Sequence, residues 1–220
     1  MYIFAIEGNI GSGKTTFLRQ IENLRKENIQ VIYEPIDTWV SSVDSEGKNI
    51  LDYFYSDMKK FAAIFQTYAL ATRMKTLDQI DPTKKFIFIE RSVFSDKYVF
   101  AQNCLNEGLM NEIEMNVYEA MRSYLWERFN DTVTHVYLKT DVETCFNRIH
   151  QKRKRDEESS ISKEYLQKLH DLHEGWLNRQ GGTIIDGNEN IFQSANLKKM
   201  LLTIVSSQIT YDDCKWLTGC

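Results

Sequence analysis

Proline is almost missing from this chain: Pro35 and Pro82 are the only two in 220 residues. No low-complexity stretch, internal repeat or linker-like segment accompanies that scarcity, so a single domain over residues 1–220 is expected. Cysteine is sparse too. Cys104, Cys145, Cys214 and Cys220 form no C-x-x-C pair and no metal-ligand spacing with histidine, and no secretory signal precedes them. Reduced thiols in the cytoplasm are the expectation. The first strand starts at residue 2, which leaves no room here for a transit peptide. Charge of one sign is lacking: the net charge is −4, which gives no reason to expect nucleic acid or a membrane surface as partner. The basic run "KRKR" at 152–155 is followed at once by "DEE". No apolar run approaches the ~18 residues of a membrane span.

What the sequence does contain is alternation. Short runs of bulky β-formers recur at 2–7, 30–35, 85–90, 133–139 and 182–187. Each is too short for a helix and nearly continuous in hydrophobicity, as in strands of a parallel sheet covered on both faces. Between them, "KTTFLRQIENLRKEN" places Phe17, Ile21 and Leu24 on one helical stripe. Residues 57–80, 111–129, 141–156, 162–178 and 194–207 also read as helices, and "WVSSVDSEGKN" at 39–49 as a surface loop. Strand–helix alternation from end to end predicts an α/β fold, a parallel sheet with helices on both faces.

Directly after the first strand, "GNIGSGKTT" (8–16) matches the phosphate-loop pattern G-x-x-x-x-G-K-[ST] from Gly8 to Thr15. Backbone N–H groups of such a loop surround phosphate oxygens, and the helix beginning near Gly13 adds its positive dipole end. Lys14 would reach the β- and γ-phosphates, the Thr15 hydroxyl would bind Mg²⁺, and Thr16 would support the helix start. A strand before and a helix after are the context this motif requires.

Ligands in open parallel sheets gather outside the carboxyl ends of the strands. The second strand ends "YEPIDTW", with Glu34 at its tip; it reads either as a solvated carboxylate before a turn or as a base beside the phosphate loop. The third ends "FIFIERSVFSD", where Glu90 fills the acidic position that serves a Mg²⁺ shell and Arg91 follows as an anion-binding cation. A structural ion pair is the alternative. In "RIHQKRKRDEE", Arg148, Lys152 and Arg155 stand at i, i+4 and i+7, with Arg153 beside them. They form a solvated face, a localisation signal, or a lid that closes guanidinium groups over a transferring phosphoryl group. "FQTYALATRM" sets Gln66 and Arg73 seven residues apart; it reads as a neutral helix surface, or as a site where Gln66 offers both a donor and an acceptor to a base edge.

Taken in order, "GNIGSGKTT", "EP…W", "FYSD", "FQTYA", "ERSVFSD", "RI…R-x-R…EES", "EYLQKLHDLHEGWL" and "DGNEN" resemble the deoxyribonucleoside kinase family, from about residue 2 to about residue 192. The resemblance implies a P-loop kinase fold of five parallel strands, a homodimer, and ATP with Mg²⁺. It implies ATP contacts from Gly8, Asn9, Gly11, Ser12, Gly13, Lys14, Thr15 and Thr16, from lid arginines Arg148, Arg153 and Arg155 in a segment about 148–160, and from the 187–192 loop that carries Glu189. Glu34 matches the general base for the sugar 5′-hydroxyl, Arg91 its neighbour, and Glu90 the Mg²⁺ residue. Tyr55 and Glu158 match the pair on the 3′-hydroxyl, Gln66 the residue reading the base edge, and Phe65, Phe100 and Trp39 the pocket aromatics. Arg73 and Asp96 resemble positions in deoxycytidine- and purine-directed members. They imply deoxyadenosine, deoxyguanosine or deoxycytidine ahead of thymidine.

Three departures stand out. "QKRKR" is one residue longer than in the family, Phe54 replaces a frequent Met, and the tail "TYDDCKWLTGC" matches nothing. The expected reaction is phosphorylation of a deoxynucleoside for nucleotide salvage. A nucleoside monophosphate kinase is the nearest rival, a non-catalytic relative the next, and a signalling GTPase the weakest, since no N-K-x-D stretch is present.

Overall fold

The structure, a computed structural model, describes residues 1–24, 27–127, 132–153, 160–189 and 194–205. Among them, five parallel strands form one sheet: β1 (Tyr2–Glu7), β2 (Ile29–Ile32), β3 (Phe86–Glu90), β4 (Val133–Lys139) and β5 (Thr183–Asp186), in spatial order β2-β3-β1-β4-β5. β1 lies between β3 and β4, with Phe4 opposite Phe88 and Thr134. The period of two sorts its side chains. Phe4 and Ile6 join Phe86 and Phe88 on one face, packed against Phe17, Leu18 and Ile21 of α1 (Lys14–Glu22) and Leu197, Met200 and Leu201 of α10 (Ser194–Val205). Ile3 and Ala5 join Ile87 and Ile89 on the other face, against Leu77 of α4 (Met58–Leu77). Full burial of each large side chain contributes roughly 1.5–3 kcal/mol, which is why these strands are apolar on both faces.

The predicted strands are all present: β1 and β4 have the expected bounds, and ends of the other three shift by one to three residues. β2 stops at Ile32, so Glu34 sits in the short link that follows it, ahead of α2 (Ile36–Ser41). That helix takes up the first residues of the expected 39–49 loop, and Val43 and Asn49 close the remainder with an antiparallel bridge. That helix and two further helical stretches were not anticipated. One is α3 (Ile50–Ser56), begun by an Asn49–Asp52 capping box. The other is a continuous run of α5 (Val93–Ser95), a π-helical turn Asp96–Ala101 and α6 (Gln102–Asn106). Both are too short or too mixed in winding to show a 3.6-residue stripe. α7 (Glu112–Glu127) packs on α4, and α9 (Lys163–Gln180) on α8 (Val142–Asn147) and the 96–101 turn.

The segment expected as one helix over 141–156 changes winding. After α8 comes a second π-helical turn, Arg148–Arg153, where the chain gains a residue per turn. The i, i+4, i+7 spacing of Arg148, Lys152 and Arg155 assumes α-helical winding, which is not kept over 148–153; Arg155 and the Lys152 side chain lie outside the described residues. No described helix is long and apolar enough to cross a membrane.

Candidate active site

The carboxyl ends of β1, β2 and β3 open into one cavity of about 1000 Å³. Its donor end is the loop between β1 and α1. Gly11 and Gly13 take positive φ angles of 75° and 102°, a conformation that costs side-chain-bearing residues strain. A Cβ on Gly11 would lie 2.6 Å from the Cys145 carbonyl oxygen. Lys14 is buried, and its Nζ donates to the carbonyls of Gly8 at 3.1 Å and Asn9 at 2.8 Å. The Thr15 hydroxyl donates to Glu90 Oε1 at 2.6 Å. Gly11, Ser12, Gly13, Lys14, Thr15 and Thr16 all line the cavity. Gly8 and Asn9 lie behind it: the Asn9 amide donates to the Leu166 carbonyl at 2.8 Å and ties the loop to α9.

Arg148 was expected to face phosphate. It lines the cavity, but Nη1 donates to the Ser12 carbonyl at 2.7 Å and Nη2 to the Gly187 carbonyl at 3.0 Å. It thus bridges the loop after β1 to the turn after β5. The Arg153 side chain, Arg155 and Glu158 lie outside the described residues. Glu189 lines the cavity near Asn188, and its Oε1 accepts from Lys199 Nζ at 2.8 Å.

The centre of the cavity holds a cluster of buried charge. Arg73, from α4, donates in three directions: Nε to Asp96 Oδ2 at 2.6 Å, Nη1 to the Glu90 carbonyl at 3.0 Å, and Nη2 to Glu34 Oε1 at 2.7 Å. Arg91 Nε lies 3.3 Å from the same Glu34 oxygen, its Nη1 donates to the Gly8 carbonyl at 2.7 Å, and its guanidinium stands 4.7 Å from the Phe100 ring centre. Burial alone would raise the Glu34 pKa, but Arg91, Arg73 and Lys14 outweigh it and hold the carboxyl well below its ordinary range. Asp96 moves the other way: burial raises its pKa against the pull of Arg73.

The far end is aromatic. Trp39 meets Phe65 edge-on at 5.4 Å, Phe54 lies 4.7 Å from Phe65, and Trp39 Nε1 donates to Thr72 Oγ1 at 2.8 Å. Tyr55, Gln66 and Phe100 complete this end together with Arg73 and Asp96. Gln66 is buried, with its Nε2 3.8 Å from Cys104 Sγ. Sequence reasoning missed Tyr165 of α9, which lines the same cavity and has its hydroxyl pKa pushed far up by burial. Its place in "EYLQKLHDLHEGWL" was the available signal. Leu51 and Ile36 were missed because the helices carrying them were.

Thr15 and Glu90 form a hydroxyl–carboxylate pair beside the phosphate loop. Among the described residues no group of three or more His, Cys, Asp or Glu side chains could hold a metal by itself. The small oxygen donor set fits Mg²⁺, which keeps several waters and binds through one or two protein groups plus phosphate.

A phosphate loop at the head of a parallel sheet, with a guanidinium-held carboxylate across the same cavity, defines the class of P-loop kinases. Comparison with known proteins is consistent with that class. The family model for deoxynucleoside kinase matches residues 4–210. A probable deoxycytidine kinase of fowlpox virus (strain NVSL) is 38% identical over 176 residues, covering 79% of this chain and 70% of the viral protein. Deoxycytidine kinase of Homo sapiens is 36% identical over 194 residues, covering 79% and 74%. Mitochondrial deoxyguanosine kinase of Xenopus laevis is 34% identical over 197 residues, covering 80% and 73%. The chain belongs to the deoxynucleoside kinase family.

Proposed function

We propose that this protein transfers the γ-phosphoryl group of ATP to the 5′-hydroxyl of a deoxyribonucleoside, as a nucleotide-salvage enzyme of the cytoplasm. The observation that carries the reading is Glu34: a largely buried carboxylate held through one oxygen by two arginines, in the same cavity as Lys14. A nucleoside with its base at the Gln66–Arg73–Asp96 end would lie across the cavity, with its 5′-hydroxyl toward Glu34. The low pKa of Glu34 makes it a weak base that accepts the proton late in transfer, which suits a loose phosphoryl transition state. Lys14 neutralises the phosphates, and Arg91 orients Glu34 and the hydroxyl. Thr15 and Glu90 would hold Mg²⁺, which when bound supplies further neutralisation of phosphate charge. Arg148 keeps the loop and the 187 turn together around the nucleotide, while Arg153 and Arg155 serve as lid cations. Tyr55 and Glu158 hold the 3′-hydroxyl.

The Arg73–Asp96 pair favours deoxycytidine, deoxyadenosine or deoxyguanosine over thymidine: it offers donors and an acceptor to a base edge and leaves little space for a methyl group. The relatives named for deoxycytidine and deoxyguanosine support this. A homodimer is supported by α7, whose Ile113, Val117, Met121 and Tyr124 form one solvent-facing stripe, with Ile64 of α4 also exposed.

The test is a product assay with ATP and either nucleosides or nucleoside monophosphates, in wild type and Glu34→Gln. Deoxynucleosides should be the acceptors, and Glu34→Gln should lower kcat by roughly 10²–10⁴-fold with little loss of ATP binding. A monophosphate as the better acceptor, or near-full rate in the variant, would reject the reading. Relative kcat/KM for the four deoxynucleosides decides the base preference, and thymidine in first place would sink it.

A further inference from the structure

Glu7, the last residue of β1, is fully buried beneath the phosphate loop. Its Oε1 accepts from Ser92 Oγ at 2.5 Å and lies 3.3 Å from His135 Nδ1. Its Oε2 is buried with no hydrogen-bond partner among the described residues. Burial would raise its pKa, yet His135, Ser92 and Arg91 together hold it below the ordinary value. A charged, half-satisfied carboxylate is a poor choice for stability, since an apolar residue of similar volume avoids the desolvation cost. Its position suggests what it does instead.

Ser92 follows Arg91, whose φ of 64° is the only positive value at a non-glycine among the described residues. That strained conformation persists only where its surroundings over-determine it. Three consecutive residues at the end of β1 do so. The Ile6 carbonyl accepts from Arg91 N at 3.0 Å, Glu7 takes the Ser92 hydroxyl, and the Gly8 carbonyl accepts from Arg91 Nη1 at 2.7 Å. Ser92 Oγ also accepts from Phe94 N at 3.2 Å, which starts the following helix. His135 backs Glu7 from β4, fixed between the rings of Phe94 and Trp176, each at 5.2 Å. The outcome is a guanidinium aimed at Glu34.

We propose that Glu7 is a positioning residue: acting through Ser92, it holds the left-handed turn at Arg91 that brings the guanidinium onto Glu34. The inference rests on the reading of Glu34 and Arg91 as the acceptor-hydroxyl end of the site.

The experiment is a double-mutant cycle read in kcat and KM. Glu7→Gln keeps the size and one acceptor oxygen but removes the charge; Ser92→Ala removes the bridging hydroxyl; Arg91→Lys supplies the second axis. A displaced Arg91 should cost kcat ~10–100-fold in Glu7→Gln and in Ser92→Ala, with KM for ATP within about twofold of wild type. In the Arg91→Lys background the further loss from Glu7→Gln should shrink to about twofold or less, because coupled residues are not additive. Unchanged kcat in Glu7→Gln overturns the proposal, as does a loss that appears in KM for ATP or multiplies in full with Arg91→Lys. Thermal melting checks folding, and Ser92→Ala carries the cycle if Glu7→Gln fails to fold. Glu34→Gln run alongside separates the two failures: near-full rate there rejects the site reading, whereas an impaired Glu34→Gln beside an unimpaired Glu7→Gln rejects only this inference.

Discussion

Arg73→Met is the most informative single perturbation, because Arg73 serves two buried carboxylates at once. Its side chain is 4% exposed, that of Asp96 3% and that of Glu34 13%. Methionine preserves most of the length and removes the three hydrogen bonds. Glu34 keeps Arg91 at 3.3 Å and is only partly stranded. Asp96 loses its 2.6 Å partner, and breaking such a buried pair costs about 3–5 kcal/mol. Protonation limits that cost. Burial already raises the Asp96 pKa against the pull of Arg73, so without Arg73 it climbs further. A carboxyl whose folded pKa lies above its unfolded value of 3.8 binds more protons when folded. Stability is then lost as pH rises through the window between the two values, and the window is wider in the variant. The gap between wild type and Arg73→Met should therefore widen as pH rises from 5.5 to 8. Urea titrations at both pH values measure it. Arg73→Met/Asp96→Asn should recover a large part of the loss. A gap below about 1 kcal/mol, or one that does not change with pH, would refute the account of Arg73 as the counter-charge of Asp96.

Other predictions follow from the same geometry. Because Glu34 is held low by its arginines, kcat should stay flat as pH falls from 8 to about 5.5; an acid limb near pH 6 that vanishes in Glu34→Gln would contradict this. Gly11→Ala would drive a Cβ to 2.6 Å from a backbone carbonyl at a φ of 75°, so it should raise KM for ATP and cost ~1–3 kcal/mol of stability by denaturation. His173 is fully buried, with Nδ1 on the Leu169 carbonyl and Nε2 unpartnered among the described residues. Burial lowers its pKa from 6.5 to about 3, so the unfolded chain binds more protons in that range and stability falls as pH drops through it. By pH 5 the loss is about 2 kcal/mol; His173→Phe should flatten that acid decline in a melting series, and an unchanged slope would rule out His173 as its source.

Much of this was legible in the chain itself. The apolar runs at 2–7 and 133–139 match β1 and β4 at both ends, because parallel strands buried on both faces leave a continuous hydrophobic signature. The phosphate loop announced itself through glycines whose spacing meets a local backbone need. Glu34, Glu90 and Arg91 could be singled out because strand ends are where a parallel sheet gathers ligands. The short helices at 36–41 and 50–56 were hidden, having too few turns to set up a period.

The amino-acid sequence by itself determined the α/β alternation, the phosphate loop and the residue types available at each strand end, since these depend on propensity and spacing over a few neighbours. Only the tertiary structure decided the order β2-β3-β1-β4-β5 and, through it, which of those residues meet. Arg73 and Asp96 are 23 residues apart, and Glu34 lies 39 from Arg73. Nothing local indicates that one guanidinium serves both. Arg148 likewise holds the carbonyls of Ser12 and Gly187 together, 136 and 39 residues away in the chain. Glu7 shows the contrast most clearly. In the sequence it is the final residue of an apolar strand, and in the fold it is a buried charge whose partners, Ser92 just past β3 and His135 within β4, arrive only when the sheet closes.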